Sequence, residues 1–263
     1  MVARHRVALW ILAAAAVGVP LAASGQEASP KGEVTPPHEA TPPALPDGVQ
    51  PGREVRVPVP GDRSAIVVHA PPGNREAILY LHGVCGDVYA IRTWSEAASR
   101  HGTLIAMLGD DPCDGRQGRF RWYNDLGRLD VRIRRTLEAV AEARGGQLET
   151  EQVTIVGYSQ GADRAERLAS RFPSRYPRVL LGSPPDAPKP ESFTQGQAIA
   201  IVAGAKEDNA RRRDGARELE QAGLPSLFVT LPDAHHGQFG PEGDRVMGEA
   251  LSWLLGRRQD GSP

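Results

Sequence analysis

Neither sign of charge dominates this sequence: 31 lysines and arginines stand against 32 aspartates and glutamates, for a formal net charge of −1. No global field therefore draws the chain to nucleic acid or to an anionic membrane. The run Arg211-Arg212-Arg213 is set beside Glu207, Asp208 and Asp214 and reads as a solvated, locally compensated face. No histidine, cysteine and acid cluster has metal-ligand spacing, and no glycine-rich loop is built to cradle a phosphate, so no cofactor is implied. There is no internal repeat. Cysteine is nearly absent, with only Cys85 and Cys113 in 263 residues.

Long apolar runs are also missing, apart from one near the start. Arg4 and Arg6 precede the stretch Val7 to Val19, followed by Pro20 and the small residues Ala22, Ala23, Ser24 and Gly25. That order is the order of a secretory signal peptide, expected over residues 1–25 with cleavage near Gly25-Gln26. The run is short for a spanning helix and contains Pro20, which makes an uncleaved membrane anchor the weaker alternative. The location expected is secreted or periplasmic, with no membrane span after cleavage. Residues 26–52 carry seven prolines (Pro30, Pro36, Pro37, Pro42, Pro43, Pro46, Pro51) and almost no large apolar residue. Such a stretch cannot bury enough surface to offset its ordering entropy and is expected to be a disordered linker. What remains is one domain over residues 53–258, followed by a flexible tail at 259–263.

Within that domain, apolar β-rich runs alternate with helical patterns. Val55 to Val59 and Ala65 to Ala70 read as an antiparallel opening pair, and Ala77-Ile78-Leu79-Tyr80-Leu81 as a strand buried on both faces. A helix is expected over Ile91 to His101 and a strand over Thr103 to Leu108. Leu126, Leu129, Ile133, Leu137 and Val140 recur at spacings of three and four, the apolar stripe of an amphipathic helix. Strand Val153 to Val156, helix Ala162 to Phe172, strands Arg178 to Leu181 and Ala198 to Ala203, helix Ala210 to Ala222, strand Ser226 to Leu231 and a closing helix from Gly243 to Leu255 complete the series. Regular alternation of this kind means an α/β fold: a mostly parallel, doubly wound sheet of about eight strands with helices on both faces. Cys85 and Cys113 each follow a strand on the same edge of the sheet, and those strands are expected neighbours. In an oxidising compartment a disulfide is therefore expected, closing a loop of about 28 residues and contributing roughly 3 kcal/mol.

The most informative segment is Gly157-Tyr158-Ser159-Gln160-Gly161, between an apolar strand and a helix. G-x-S-x-G in that setting is a nucleophile elbow, a turn so tight that only small residues fit two positions either side of the serine. It presents the serine hydroxyl at the carboxyl end of a central strand, beside a helix N-terminus. In open α/β sheets the chemistry gathers at those strand ends.

Together with Leu81-His82-Gly83 after the third strand and Ala234-His235-His236-Gly237 after the last, this elbow makes the chain resemble the α/β-hydrolase superfamily from about Arg53 to Leu255. The resemblance implies a serine hydrolase with Ser159 as nucleophile. A serine hydroxyl needs an adjacent base; His236, which precedes Gly237, is the expected one and His235 the alternative. A carboxylate must hold the histidine's tautomer. Gly204-Ala205-Lys206-Glu207-Asp208 follows the seventh strand, where the family's acid sits; Asp208 is expected, Glu207 is the alternative, and Asp186 is more remote. For the oxyanion the resemblance implies the backbone N–H of Gln160 and that of Val84 or, less expected, Cys85.

Only Gly182 to Gln197 joins the sixth and seventh strands, leaving no room for a helical lid. An open cleft edged by Trp122, Tyr123 and Phe239 is expected, though these aromatics could equally be packing residues. The activity implied is hydrolysis of a small-molecule or polymeric carboxylic ester through an acyl-enzyme. Alternatives are a thioesterase or a serine peptidase of the same fold, the latter disfavoured because no propeller or gating domain precedes the hydrolase part. From a different class comes an inactive hydrolase-fold binding protein.

Overall fold

The computed structural model describes residues 43–257. The expected signal peptide, most of the expected linker and the tail lie outside the described residues. No helix among the described residues is long and apolar enough to cross a membrane.

Strands β1 (Glu54–Val57) and β2 (Ala65–Val68) form the antiparallel opening pair. They are followed by β3 (Ala77–Leu81), a 3₁₀ turn at Val88–Thr93, helix α1 (Ser95–His101) and β4 (Thr103–Met107). A two-residue ribbon, β5 (Asp111–Pro112) with β6 (Phe120–Arg121), leads into α2 (Leu126–Ala143). Then come β7 (Thr154–Tyr158), α3 (Gln160–Arg171), β8 (Arg178–Gly182), β9 (Ala198–Gly204), α4 (Ala210–Gln221), β10 (Ser226–Leu231) and α5 (Gly243–Gly256). The main sheet has eight strands in the order β1-β2-β4-β3-β7-β8-β9-β10, parallel from β4 to β10.

The chain steps from β3 outward to β4, then returns to the other side of β3 with β7. The loops after β3 and β7 therefore leave in divergent directions, and the crevice between them is where an open α/β sheet holds a ligand.

Alternate residues of each strand serve opposite faces. Leu79, Leu81 and Ile155 pack with Ile133 and Leu137 of α2 and Ala162 and Ala165 of α3. Ile78, Tyr80 and Val156 pack with Trp94, with Ala98 of α1 and with Val246 and Leu251 of α5. Because both faces are covered, a one-residue slip in β3 or β7 would exchange two complete apolar sets, which fixes the register Leu79 to Ile155.

Three local features depart from the sequence expectation. The helix expected over Ile91 to His101 is interrupted at Trp94, whose backbone leaves helical geometry at φ −147° and ψ 10°. Trp94 is fully buried, its ring against Tyr80 at 5.5 Å and Phe239 at 6.1 Å, and a contact set of that size outweighs helix continuity. The β5–β6 ribbon is too short to leave a periodic signal. It is held by Cys113 N–H donating to Arg119 O (2.9 Å), the Arg121–Asp111 ion pair (2.6 Å) and the Cys85–Cys113 disulfide, whose Cα atoms are 5.8 Å apart. Finally, the last part of the expected linker lies on the domain. Gln147 Nε2 donates to Ala44 O (2.9 Å), Gly52 N–H donates to His69 O (2.9 Å), and Pro46 packs over Gly145.

Candidate active site

Ser159 sits in the turn between β7 and α3 with φ 52° and ψ −116°, a left-handed conformation that costs a non-glycine residue about 1–3 kcal/mol. The strain is held by close backbone approach on both sides. A Cβ on Gly157 would lie 2.2 Å from Gly161 O, and one on Gly161 would lie 2.0 Å from Leu81 O. No side chain fits either position. Ser159 N–H is anchored to Gly182 O at 2.8 Å, so the elbow is also tied to the end of β8.

The hydroxyl leads directly to two other groups. His236 Nε2 lies 3.1 Å from Ser159 Oγ, and His236 Nδ1 lies 2.9 Å from Glu207 Oε2. His236 comes from the loop after β10. Its neighbour Gly237 donates its N–H to the Tyr158 hydroxyl at 2.7 Å, and the Tyr158 ring stands 5.6 Å from the imidazole, so the elbow strand itself supports the loop. His235 is exposed and not part of this run.

The carboxylate beside His236 is that of Glu207, the alternative, and not that of Asp208, the expected one. β9 ends at Gly204, where a Cβ would lie 2.4 Å from Ala234 O, and the turn that follows closes with Glu207 N–H on Gly204 O at 3.0 Å. That turn points Glu207 inward, with its side chain 8% exposed. Asp208 is one residue further round: it is exposed, and its Oδ1 accepts from Ala210 N–H at 3.1 Å at the start of α4. Asp186 is exposed as well. Burial alone would raise the Glu207 carboxyl, but hydrogen bonds from Ser183, His236 and Gly204 N–H and the Arg212 charge together hold it below its ordinary value.

The loop after β3 stands against the serine: a Cβ on Gly83 would be 3.3 Å from Ser159 Cβ. Gly86 N–H donates to Gly83 O at 2.9 Å, closing a four-residue turn whose bond does not engage the N–H groups of Val84 and Cys85. Cys85 takes the left-handed position at φ 48°, and the disulfide ties it to the ribbon beyond β4. Gln160 is the first residue of α3, so its N–H has no intrahelical acceptor. Its carboxamide instead accepts Trp122 N–H at 3.0 Å.

His82 fixes the base of this loop. Its Nδ1 lies 2.7 Å from Gly83 O and its Nε2 accepts Gly109 N–H at 3.0 Å, a pairing that only the neutral Nδ1–H tautomer satisfies. Burial pushes His82 below the usual imidazole range, against the opposing hydrogen bond to Gly83.

The three aromatics expected at the cleft edge differ in burial. Tyr123 is exposed, but Trp122 and Phe239 are buried. Trp122 donates its indole N–H to His82 O at 2.7 Å, and Phe239 packs on Tyr158 at 5.3 Å, so both are packing residues behind the site. Ser183 and Arg212, which sequence reasoning passed over, both bond Glu207. Ser183 has a visible sequence place, one residue beyond the strand beside the elbow strand. Arg212 was concealed in an arginine run read as solvated, yet its side chain is only 13% exposed. Among the described residues no group of three or more histidines, cysteines and acids could hold a metal ion.

No known family model and no curated protein sequence matches the chain. Solved structures do resemble it. A dienelactone hydrolase from Anabaena variabilis is 20% identical over 77% of this chain and 95% of that one, with a TM-score of 0.54. A fluorophosphonate-binding serine hydrolase of Staphylococcus aureus is 14% identical over 78% and 99%, with a TM-score of 0.55. An α/β serine hydrolase without a lid from Xanthomonas campestris is 18% identical over 84% and 100%, with a TM-score of 0.51. The chain has the α/β-hydrolase fold.

Proposed function

We propose that the protein is a serine hydrolase that cleaves carboxylic esters through an acyl-enzyme, with Ser159 as nucleophile, His236 as base and Glu207 as the acid behind it. The observation that carries this reading is the unbroken hydrogen-bonded run from Ser159 Oγ through both imidazole nitrogens to a buried carboxylate, at 3.1 and 2.9 Å. These groups are separated in sequence by up to 77 positions and meet at the carboxyl ends of three different strands.

Ser159 Oγ attacks the ester carbonyl carbon while His236 Nε2 takes its proton, and Glu207 stabilises the imidazolium through Nδ1–H. The oxyanion is received by the N–H groups of Gln160 and Val84, each worth about 2–4 kcal/mol in such a site. His236 then protonates the departing alcohol oxygen. Water, deprotonated by His236, attacks the acyl carbon, and collapse of the second tetrahedral intermediate restores Ser159 and releases the acid.

Between β8 and β9 only a short 3₁₀ turn, Pro190–Ser192, occupies the connection, so the cleft is uncovered on that side and can admit a small or a polymeric ester. The signal-like N-terminus and the Cys85–Cys113 bond support export to an oxidising compartment. Hydrolysis of a panel of esters, thioesters and peptides by the wild-type protein and Ser159→Ala tests the reading. Ester turnover lost by several powers of ten in Ser159→Ala is the expected result; ester turnover retained in that variant would refute it.

A further inference from the structure

Glu207 is surrounded by more donors than the proposed triad requires. Its Oε1 accepts from the Ser183 hydroxyl at 2.6 Å and from Gly204 N–H at 2.9 Å. Its Oε2 faces both His236 Nδ1, at 2.9 Å, and Arg212 Nη1, at 3.2 Å. Three of these contacts are hydrogen bonds, and the fourth, from Arg212, is an ion pair. The Glu207 and Arg212 side chains are 8% and 13% exposed, so solvent screens this pair weakly. Arg212 is held in place by Pro184 O (3.0 Å, from Nε) and by Asn209 Oδ1 (3.0 Å) and Asp208 O (3.3 Å), both from Nη1. Asn209 in turn donates to Gly204 O at 2.8 Å. The guanidinium is therefore a fixed positive charge sharing one carboxylate oxygen with the imidazole.

Resting on the serine-hydrolase reading, we propose that Arg212 is a positioning residue that sets the pH window of the reaction. Its charge opposes a second positive charge on His236 and so keeps the base available at lower pH than Glu207 alone would allow. The other polar and charged groups around the imidazole do not replace it. Tyr158 presents its ring at 5.6 Å and commits its hydroxyl to Gly237 N–H. Lys206 and Asp233, in the adjoining loops, pair with each other at 3.5 Å. His235 and Asp208 are exposed. Among the described residues, Arg212 is the arginine or lysine that pairs with Glu207.

The test is the pH profile of kcat/KM on one short-chain ester for the full-length wild type, Arg212→Lys and Arg212→Met, with a separate sample of each labelled by a fluorophosphonate probe to establish that Ser159 reacts. Arg212→Met is expected to move the acid midpoint upward by about 0.5–1 pH unit, whereas Arg212→Lys, which keeps the charge but not the fork, keeps the wild-type midpoint. If Arg212→Met does not fold, Arg212→Gln, whose amide can still donate to Pro184 O, carries the same comparison. An unmoved midpoint in the neutral variant, even with a lowered plateau, would mean a merely structural role and overturn the proposal. Equal movement in Lys and Met would overturn it too. Failure of Ser159 to react in the wild type would instead overturn the underlying reading, and the proposal with it.

Discussion

Glu207 Oε2 lies 2.9 Å from His236 Nδ1, while the carboxylate of the next residue, Asp208, is turned away to the N–H of Ala210 at 3.1 Å. Two adjacent acids thus have separate tasks, one beside the imidazole and one at a helix start. Glu207→Gln is expected to lower kcat on a short-chain ester by about 10³-fold or more, because a neutral amide neither stabilises the imidazolium nor fixes its tautomer. Asp208→Asn should stay within a few-fold of wild type. Steady-state kinetics on both variants check this, and a larger defect in Asp208→Asn would reverse the assignment.

The two histidines divide in the same way. His236→Ala should approach the defect of Ser159→Ala, since members of such a triad act as a unit. His235→Ala removes an exposed ring and should retain most of the activity. Comparable kcat values for the two variants would contradict the geometry.

Cys85 lies in the turn against Ser159, so its bond to Cys113 bears on activity as well as stability. Alkylation of the unreduced protein, produced in an oxidising compartment, should add no label to the intact mass. Cys85→Ser with Cys113→Ser is expected to cost roughly 3 kcal/mol of stability, read by denaturant unfolding. kcat should fall by roughly tenfold as the Val84 donor loses its fixed position.

Most of the sheet was legible because its strands are continuous apolar runs and its long helices carry a clear stripe, as in Leu129, Ile133, Leu137 and Val140. The elbow was legible because Gly157 and Gly161 are required by backbone approach that no Cβ survives. What was hidden depends on one-residue phase in a turn or on distant partners. Glu207 and Asp208 differ only in how far round the turn after Gly204 they fall, which composition cannot report. Trp122 and Phe239 were open between cleft and packing roles, because their partners, His82 O just after β3 and Tyr158 at the end of β7, are distant in sequence. Arg212 turns inward from a run whose neighbours, Arg211 and Arg213, are exposed.

Two buried histidines predict how the domain responds to acid. Burial, and then the Arg144 guanidinium, push His69 down to about 4, and burial lowers His82. In the unfolded chain both take up protons near their ordinary value, before the folded protein does, so stability present at neutral pH is lost as pH falls from about 6.5 toward 4. For His69 the loss by pH 4 is on the order of 3 kcal/mol. Tm measured from pH 7 to pH 4 should fall less steeply for His69→Gln than for wild type. Parallel curves would show that His69 does not contribute.

The central claim is that Ser159 is an activated nucleophile. It is tested most directly by treating the folded, full-length protein with a fluorophosphonate and mapping the adduct by peptide mass spectrometry, with His236→Ala alongside. The account predicts a single modified serine, Ser159, and labelling slowed by at least about 10²-fold in His236→Ala. An unmodified Ser159 in folded wild-type protein, or equal labelling rates in the two proteins, would contradict it.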